Sequence, residues 1–350
     1  MTLQTIADRL GVSRMTVSNA FSRPDQLSEE LRRRILLTAD ELGYVGPDPA
    51  ARALARGTTG AVGVLLTDSL RFAFTDEVAT GFLGAVVEEL APTGLALTLL
   101  TADGGGDVVP ARDVAIDGAL VYSCRLESPS REWLLRRQLP LVFVDQDPVP
   151  GIPSVNVDDR AGARAAAQHL VDLGHRRVGI VNLAIDGPRG FVDDPLAASF
   201  GHPQRQRVLG WLDALSAAGI TPTTVQIEHD SEDDAEDVAR LLLALEDPPT
   251  AVLCFSDVLA LGVMRAAEDR GVSVPGDLSV VGFDDSPVAR RVRPALTTVR
   301  QDIASKGRLA ASALTAAIDH ARTGTKTRAR HHLLPTELIV RQSTAPAPSS

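Results

Sequence analysis

Near the start of the chain, three side chains of distinct recognition chemistry share one short stretch: Arg14, Met15 and Asn19. On a helix opening after Ser13, all three project from its outer face. An arginine fork matches guanine, an asparagine amide matches adenine, and a methionine makes apolar contact with a thymine methyl. The hydroxyls of Thr5, Ser13, Thr16 and Ser18 suit phosphate oxygens, which set register without reading sequence. This is the chemistry of a major-groove reader.

Such groups need rigid helices to hold them. Thr2 is placed to cap a helix through Leu10, Gly11 permits a tight turn, and Ser13 caps a second helix from Arg14 to about Phe21. Ala7 is small enough for the two helices to cross closely, and Val12 and Val17 fill the space between, giving a helix-turn-helix. Ser28 caps a third helix with Leu31, Ile35, Ala39 and Leu42 at helical spacing. Gly43 ends it, and Tyr44 and Val45 are expected to fold back onto the small core. A fourth segment, Pro49–Arg56, opens on a proline suited to a first turn and closes at Gly57. It is too short to be helical alone in water. Its apolar Leu54 stands just before a Thr58-Thr59-Gly60 linker.

From Ala61 onward, short aliphatic strands alternate with amphipathic helices. Strands are expected at 61–66, 96–100, 118–122, 141–144, 178–181, 225–228, 251–255 and 278–283, with helices at 76–90, 159–173, 204–218, 234–245 and 257–270. Continuous apolar strands separated by helices imply parallel sheets covered on both faces. So many units exceed one ordinary domain, which favours two doubly wound lobes over a single eight-stranded barrel. The stretch Ser154–Asp158 reads as a crossover between the lobes. The tail, 343–350, is low-complexity and expected to be disordered.

Composition sets the outer bounds. At 350 residues, two or three domains are expected, and with 44 % hydrophobic but only 4 % aromatic residues the core must be aliphatic. The two cysteines, Cys124 and Cys254, sit in apolar runs without spaced partners, against a disulfide scaffold or a zinc cluster. No basic leader precedes an apolar stretch, and no run approaches the ~18 residues of a membrane span. A soluble cytoplasmic protein without a membrane partner is expected. The net charge of −10 is uneven: residues 1–57 hold eight Arg against seven acids, a net of +1, leaving −11 for the rest. A near-neutral head can bind DNA if its arginines share a face, while an acidic body repels phosphate.

No phosphate loop, nucleophile elbow or His-Glu-x-x-His pair is present, so no enzyme, metal or cofactor is expected. Gly104–Gly106 reads as a loop and His331-His332 as solvated. The acidic run Asp230–Asp237 reads as carboxylates at a helix N-terminus.

The run Leu3–Ala20 resembles the DNA-binding head of the LacI/GalR family of bacterial transcription regulators. Leu42-Gly43-Tyr44-Val45 and Pro47–Ala55 match that family's third-helix end and hinge helix. Further along, Asp158–Gly162 through His169–Val178, Arg207 with Gly210 and Trp211, Ser256-Asp257, Gly282–Asp285 and Leu296–Asp302 match its effector domain, itself similar to periplasmic sugar-binding proteins. The resemblance runs from residue 2 to about 340 in the expected order.

It implies an all-α helix-turn-helix head (1–46), a hinge helix and linker (47–59), and a two-lobed α/β effector and dimerisation domain (60–342) with lobe crossovers near 157–159 and 301–303. Leu54, with Ala51 beside it, becomes a hinge residue whose side chain wedges into the central minor-groove step. A wedge works with its twin, so a homodimer on a pseudo-palindromic operator follows. By the same resemblance Asp145, Arg207, Ser256 and Asp284 line the cleft, with Tyr122 and Gln301 nearby. Several of these fall at strand ends, where open α/β sheets bind ligands. Phe72 and Phe74 are candidates for an apolar wall. Carboxylates accept from neighbouring hydroxyls and Arg207 donates a rigid fork, which suits a sugar or related polyhydroxylated effector. Asp257, Asp285 and His175 read as structural. Two departures stand out: Ser256 where many members carry Asn, and no stacking aromatic around His229-Asp230. The whole implies a ligand-responsive repressor, against the alternative of a transporter's solute-binding protein.

Overall fold

The computed structural model describes all residues except 47, 67–71, 102–106, 124–127, 185–186, 198–200, 326–327 and 349–350. Cys124 and Gly104–Gly106 therefore lie outside the described residues. The chain divides into two units, Met1–Gly60 and Ala61–Ser350.

The first unit is built from local signals. Helices α1 (Leu3–Leu10), α2 (Arg14–Ser22), α3 (Glu29–Glu41) and α4 (Pro49–Arg56) are capped by Thr2, Ser13, Ser28 and Asp48, each side chain accepting a backbone N–H three residues on. Gly11 turns the chain between α1 and α2 at φ +66°, which an L side chain rarely adopts. Ile6, Ala7, Val17, Ala20, Ile35 and Ala39 form the fully enclosed core. Tyr44 folds back onto it, its ring edge-on to Phe21 at 5.7 Å. Val45 does not: it is 101 % exposed. Gly46, at φ +118°, turns the chain immediately beyond it.

The second unit holds thirteen strands among its described residues, in two open sheets rather than one barrel. Strands β1 (Ala61–Leu66), β2 (Ala96–Thr101), β3 (Ala119–Tyr122), β4 (Leu141–Val144) and β5 (Ser154–Val157) belong to the first sheet. The second takes β6 (Val178–Leu183), β7 (Gly190–Val192), β8 (Thr223–Ile227), β9 (Ala251–Cys254), β10 (Ser279–Asp284) and β11 (Thr297–Gln301). Strand β12 (His331–Leu334) returns to the edge of the first sheet beside β5, and β13 (Thr336–Ile339) closes the second beside β11. Ser154–Val157 is thus a buried, paired strand before it is a crossover. His331 sits in strand β12, its Nδ1 2.9 Å from Ser154 Oγ. The chain passes between the sheets at 157–159, at 301–303 and again at 334–336.

Central strands are buried along their whole length, and helices cover both faces, which is why they read as unbroken aliphatic runs. Gly210 lets helix His202–Ala217 lie against helix Asp159–Asp172. A Cβ there would stand 2.3 Å from Arg160 O.

The tail corrects its expectation. Residues 343–348 are tied to the second sheet despite their composition. Ser343 is fully buried, exchanging backbone and side-chain hydrogen bonds with Val280 and accepting from Thr297 N. Ala345 N donates to Ser279 Oγ, and Ala347 N donates to Leu173 O. Hydrogen bonding by the main chain needs no apolar side chains, so the low-complexity pattern misled. His175, buried beneath this strap, contacts Thr250, Ser279 and Ala345 O.

Candidate functional site

Two groups of candidate residues lie in separate units. In the first, Arg14 and Met15 are exposed on α2, Met15 at 69 %, although the core beneath is closed. Asn19 is held by its Nδ2 donating to Gln26 Oε1 at 3.1 Å. Gln26, in the turn after Pro24, was not singled out from sequence; proximity to Asn19 brings it onto the same face. Thr5 and Ser13 are exposed, Thr16 and Ser18 half-buried, and the Ser13 and Thr16 hydroxyls lie 2.8 Å apart. On α4, Ala51 is exposed, with its N–H accepted by Asp48, and Leu54 is 87 % exposed.

In the second unit, a cleft of about 640 Å³ opens between the two sheets, at the carboxyl ends of their strands. It gathers Tyr122, Asp145, Arg207, Asp284 and Gln301. Arg207 is its centre. Nε donates to Asp159 Oδ1 (2.8 Å), Nη1 to Phe255 O (2.5 Å) and Nη2 to Asp284 Oδ1 (3.1 Å). The guanidinium is also sandwiched between the Phe255 and Phe283 rings, at 4.4 and 3.6 Å. Gln301 Nε2 donates to the same Asp284 oxygen at 2.7 Å. Lys306 Nζ then donates to Gln301 Oε1 (2.9 Å) and Asp145 Oδ2 (2.6 Å). One chain of hydrogen bonds thus runs from Asp159 in the second lobe to Asp145 in the first. The rims are clasped as well, by Asp147 with His202 and Arg205 and by Glu77 with Arg291.

Backbone strain concentrates here. Of five described non-glycine residues at positive φ, Ser123 (48°), Asp145 (53°) and Asp284 (111°) line the cleft. Sparsely populated backbone persists where the surroundings over-determine it, most often at binding sites. Burial pushes the carboxyls of Asp284 and Asp159 up to about 6, Arg207 opposing in both cases. Burial also raises Asp230 to about 7, the Ser256 hydrogen bond opposing and the Asp76 and Asp284 charges reinforcing. The Tyr122 phenol is raised well above its ordinary value, chiefly by burial.

Three expectations fare differently. Ser256 is buried but reaches the cleft only through Asp230, to whose Oδ1 it donates at 2.7 Å. Phe74 is 71 % exposed and absent from the cleft lining: it lies on a one-turn helix, Phe72–Thr75, that sends Thr75 and the following Asp76 inward instead. The Phe72 side chain lies outside the described residues. Lys306, Gln204, Asp76 and Asp230 were missed. A lysine in a helical pattern reads as a surface residue, and Asp230 was absorbed into an acidic helix start. The one available signal was that Lys306 and Lys326 are the only lysines among 35 cations. Asp257 and Asp285 lie in hydrogen-bonded frameworks, Asp257 with Ser286 N and Thr298 Oγ1, Asp285 with Arg290, Arg300 and Arg341.

Residues 2–46 match the family of bacterial regulatory proteins, lacI family, and residues 167–344 a periplasmic binding protein-like domain. An HTH-type transcriptional regulator of Mycolicibacterium smegmatis is 40 % identical over 329 residues, covering 88 % of each chain. A LacI-family regulator structure from Corynebacterium glutamicum is 34 % identical, with TM-score 0.71 over 98 % of both chains. The structure of the regulator CelR in complex with cellobiose is 28 % identical, with TM-score 0.70 over 98 % of this chain and 99 % of that one.

Proposed function

The chain belongs to the LacI family of bacterial transcriptional regulators, and from that premise we propose that it is a ligand-responsive repressor that binds a pseudo-palindromic operator as a homodimer. Arg14, Met15 and Asn19 read base edges in the major groove, while Thr5, Ser13, Thr16 and Ser18 hold phosphates. Leu54, with Ala51 on the same short helix, enters the minor groove at the dyad and kinks the duplex. Acting on DNA, the protein works in the cytoplasm.

The effector is a sugar or related polyhydroxylated metabolite bound among Asp145, Arg207, Asp284, Gln301 and Tyr122, with Ser256 acting through Asp230. The cellobiose held by CelR supports that class. Ligand shifts the lobes, and with them the pairing of the two hinge segments. Such coupling requires different affinities for the two lobe arrangements, ~2.7 kcal/mol for a hundredfold switch.

One observation carries the reading: Met15 and Leu54 stand in water at 69 % and 87 % exposure, although the head's own core is closed without them. Single exposed apolar side chains are common, so what counts is their place: Met15 follows Arg14 at the start of the second helix of a helix-turn-helix, and Leu54 lies on the short helix beyond it. The test is selection from a random DNA pool by the full-length protein, with and without a mixture of sugars. A palindrome with a fixed central step, weakened by the mixture, is expected. No enrichment in either condition overturns the proposal.

A further inference from the structure

Of the three candidate base readers, Asn19 is held in place by the turn that follows its own helix, and this bears on what it reads, given the operator reading proposed above. Helix α2 ends at Ser22, and the chain then makes a single tight turn, Pro24–Gln26. Three hydrogen bonds close that turn back on the helix. Arg23 N donates to Asn19 O at 2.8 Å, Gln26 N donates to Arg23 O at 3.1 Å, and Asn19 Nδ2 donates to Gln26 Oε1 at 3.1 Å. The circuit begins and ends on Asn19.

Its consequence is the direction of the amide. A side-chain amide nitrogen carries two hydrogens. One goes to Gln26, so the other hydrogen and Oδ1 remain as a donor beside an acceptor. That pair complements the N7 acceptor and N6 donor of adenine. Turned over on its own, the Asn19 amide would set its oxygen against Oε1 of Gln26, acceptor to acceptor. Gln26 is exposed and outside the closed core of the head, so the bond to Asn19 is what its side chain supplies. Holding a reader in its binding orientation removes an ordering cost that would otherwise be met on the DNA.

We propose that Gln26 is a specificity-determining residue of the operator reader: it touches no base itself, but orients the Asn19 amide so that Asn19 selects adenine at one base pair of each half-site. Gln26 is thus a positioning residue, and the two amides act as a unit although the turn separates them.

The test repeats the selection from a random DNA pool with the full-length parent and with Asn19→Ala, Gln26→Ala and Gln26→Glu. Asn19→Ala locates the base pair that Asn19 reads, as the position where adenine preference is lost. Gln26→Ala should lower that preference from about tenfold or more to about threefold or less at the same base pair, leaving every other position as in the parent. The Gln26→Glu side chain keeps an acceptor of the same reach, so that variant should retain the preference even though its charge weakens binding overall. The slope of operator affinity against salt should be unchanged in Gln26→Ala, since no phosphate contact is lost. A uniform loss across all sequences with a shallower salt slope makes Gln26 a phosphate contact and overturns the assignment. A changed preference at a different base pair overturns it by making Gln26 a reader in its own right. Parent-like preferences in Gln26→Ala, or an Asn19→Ala that alters no position, leave the pair without a role in recognition. A parent that enriches no palindrome overturns the operator reading itself, and this inference with it.

Discussion

The head and the body place their chemistry on opposite sides of their surfaces. In the head, the candidate readers Arg14, Met15 and Leu54 face solvent, while six aliphatic side chains close the core without them. In the body, Asp145, Arg207, Asp284 and Gln301 are themselves buried and bonded to one another across the lobes. Changing a reader should therefore alter binding and leave folding alone. Changing a cleft residue should alter both. An exposed site is separable from stability; a buried network is part of it.

The largest effect expected is at Arg207. Replacing it with Ala leaves Asp159 and Asp284 buried without their cation, costing about 3–5 kcal/mol in denaturant unfolding of the body and abolishing ligand response. Operator binding persists. A variant that responds at unchanged effector concentration would confine Arg207 to a structural role. Next comes Leu54→Ala, which should weaken specific operator binding about a hundredfold, ~2.7 kcal/mol, with no change in unfolding. An equal loss of stability would break the contrast between the regions.

Asp230→Asn gives a pH-dependent effect. With its folded-state value near 7 and an unfolded carboxyl near ~4, Asp230 favours the folded state at acid pH, and that contribution is lost as pH rises through 7. The Asn variant should match the parent near pH 4 and gain on it up to about pH 7. The gain then levels off at no more than about 4 kcal/mol, the displacement of about three pH units at ~1.4 kcal/mol each, as read by thermal unfolding across pH. A flat difference would mean that Asp230 titrates as an ordinary surface carboxyl. The smallest effect belongs to Ser28→Ala. It removes the cap on Leu31 N and should cost the head about 0.5–1 kcal/mol by hydrogen exchange in α3, leaving ligand titrations untouched.

The same contrast decides what could be read from sequence. In the head, each signal acts within a few residues: a hydroxyl caps a helix three positions on, and Gly11 supplies a left-handed turn. Its helices were therefore legible almost to the residue. Val45 was not, since nothing local distinguishes an apolar side chain that packs from one that points away. In the body, the aliphatic strands announced themselves, but β12, β13 and the 343–348 strap depend on partners far along the chain. Lys306 pairs with Asp145 across 161 positions, and no periodicity encodes that meeting. Family resemblance supplied Asp145, Arg207 and Asp284; it did not supply Lys306.

The third passage of the chain between the sheets, at 334–336, bears on how the protein is made. The first lobe takes its edge strand from 331–334 and the second from 336–339, so neither sheet is complete until nearly the whole chain exists. The head draws its core from residues 3 to 44. At translation speeds of ~5–20 residues per second, roughly 15–60 s separate the two events. During that interval a nascent chain carries a closed head core and two incomplete sheets, still tethered to the ribosome. On the proposed reading, control by ligand begins only when the last strands have been added.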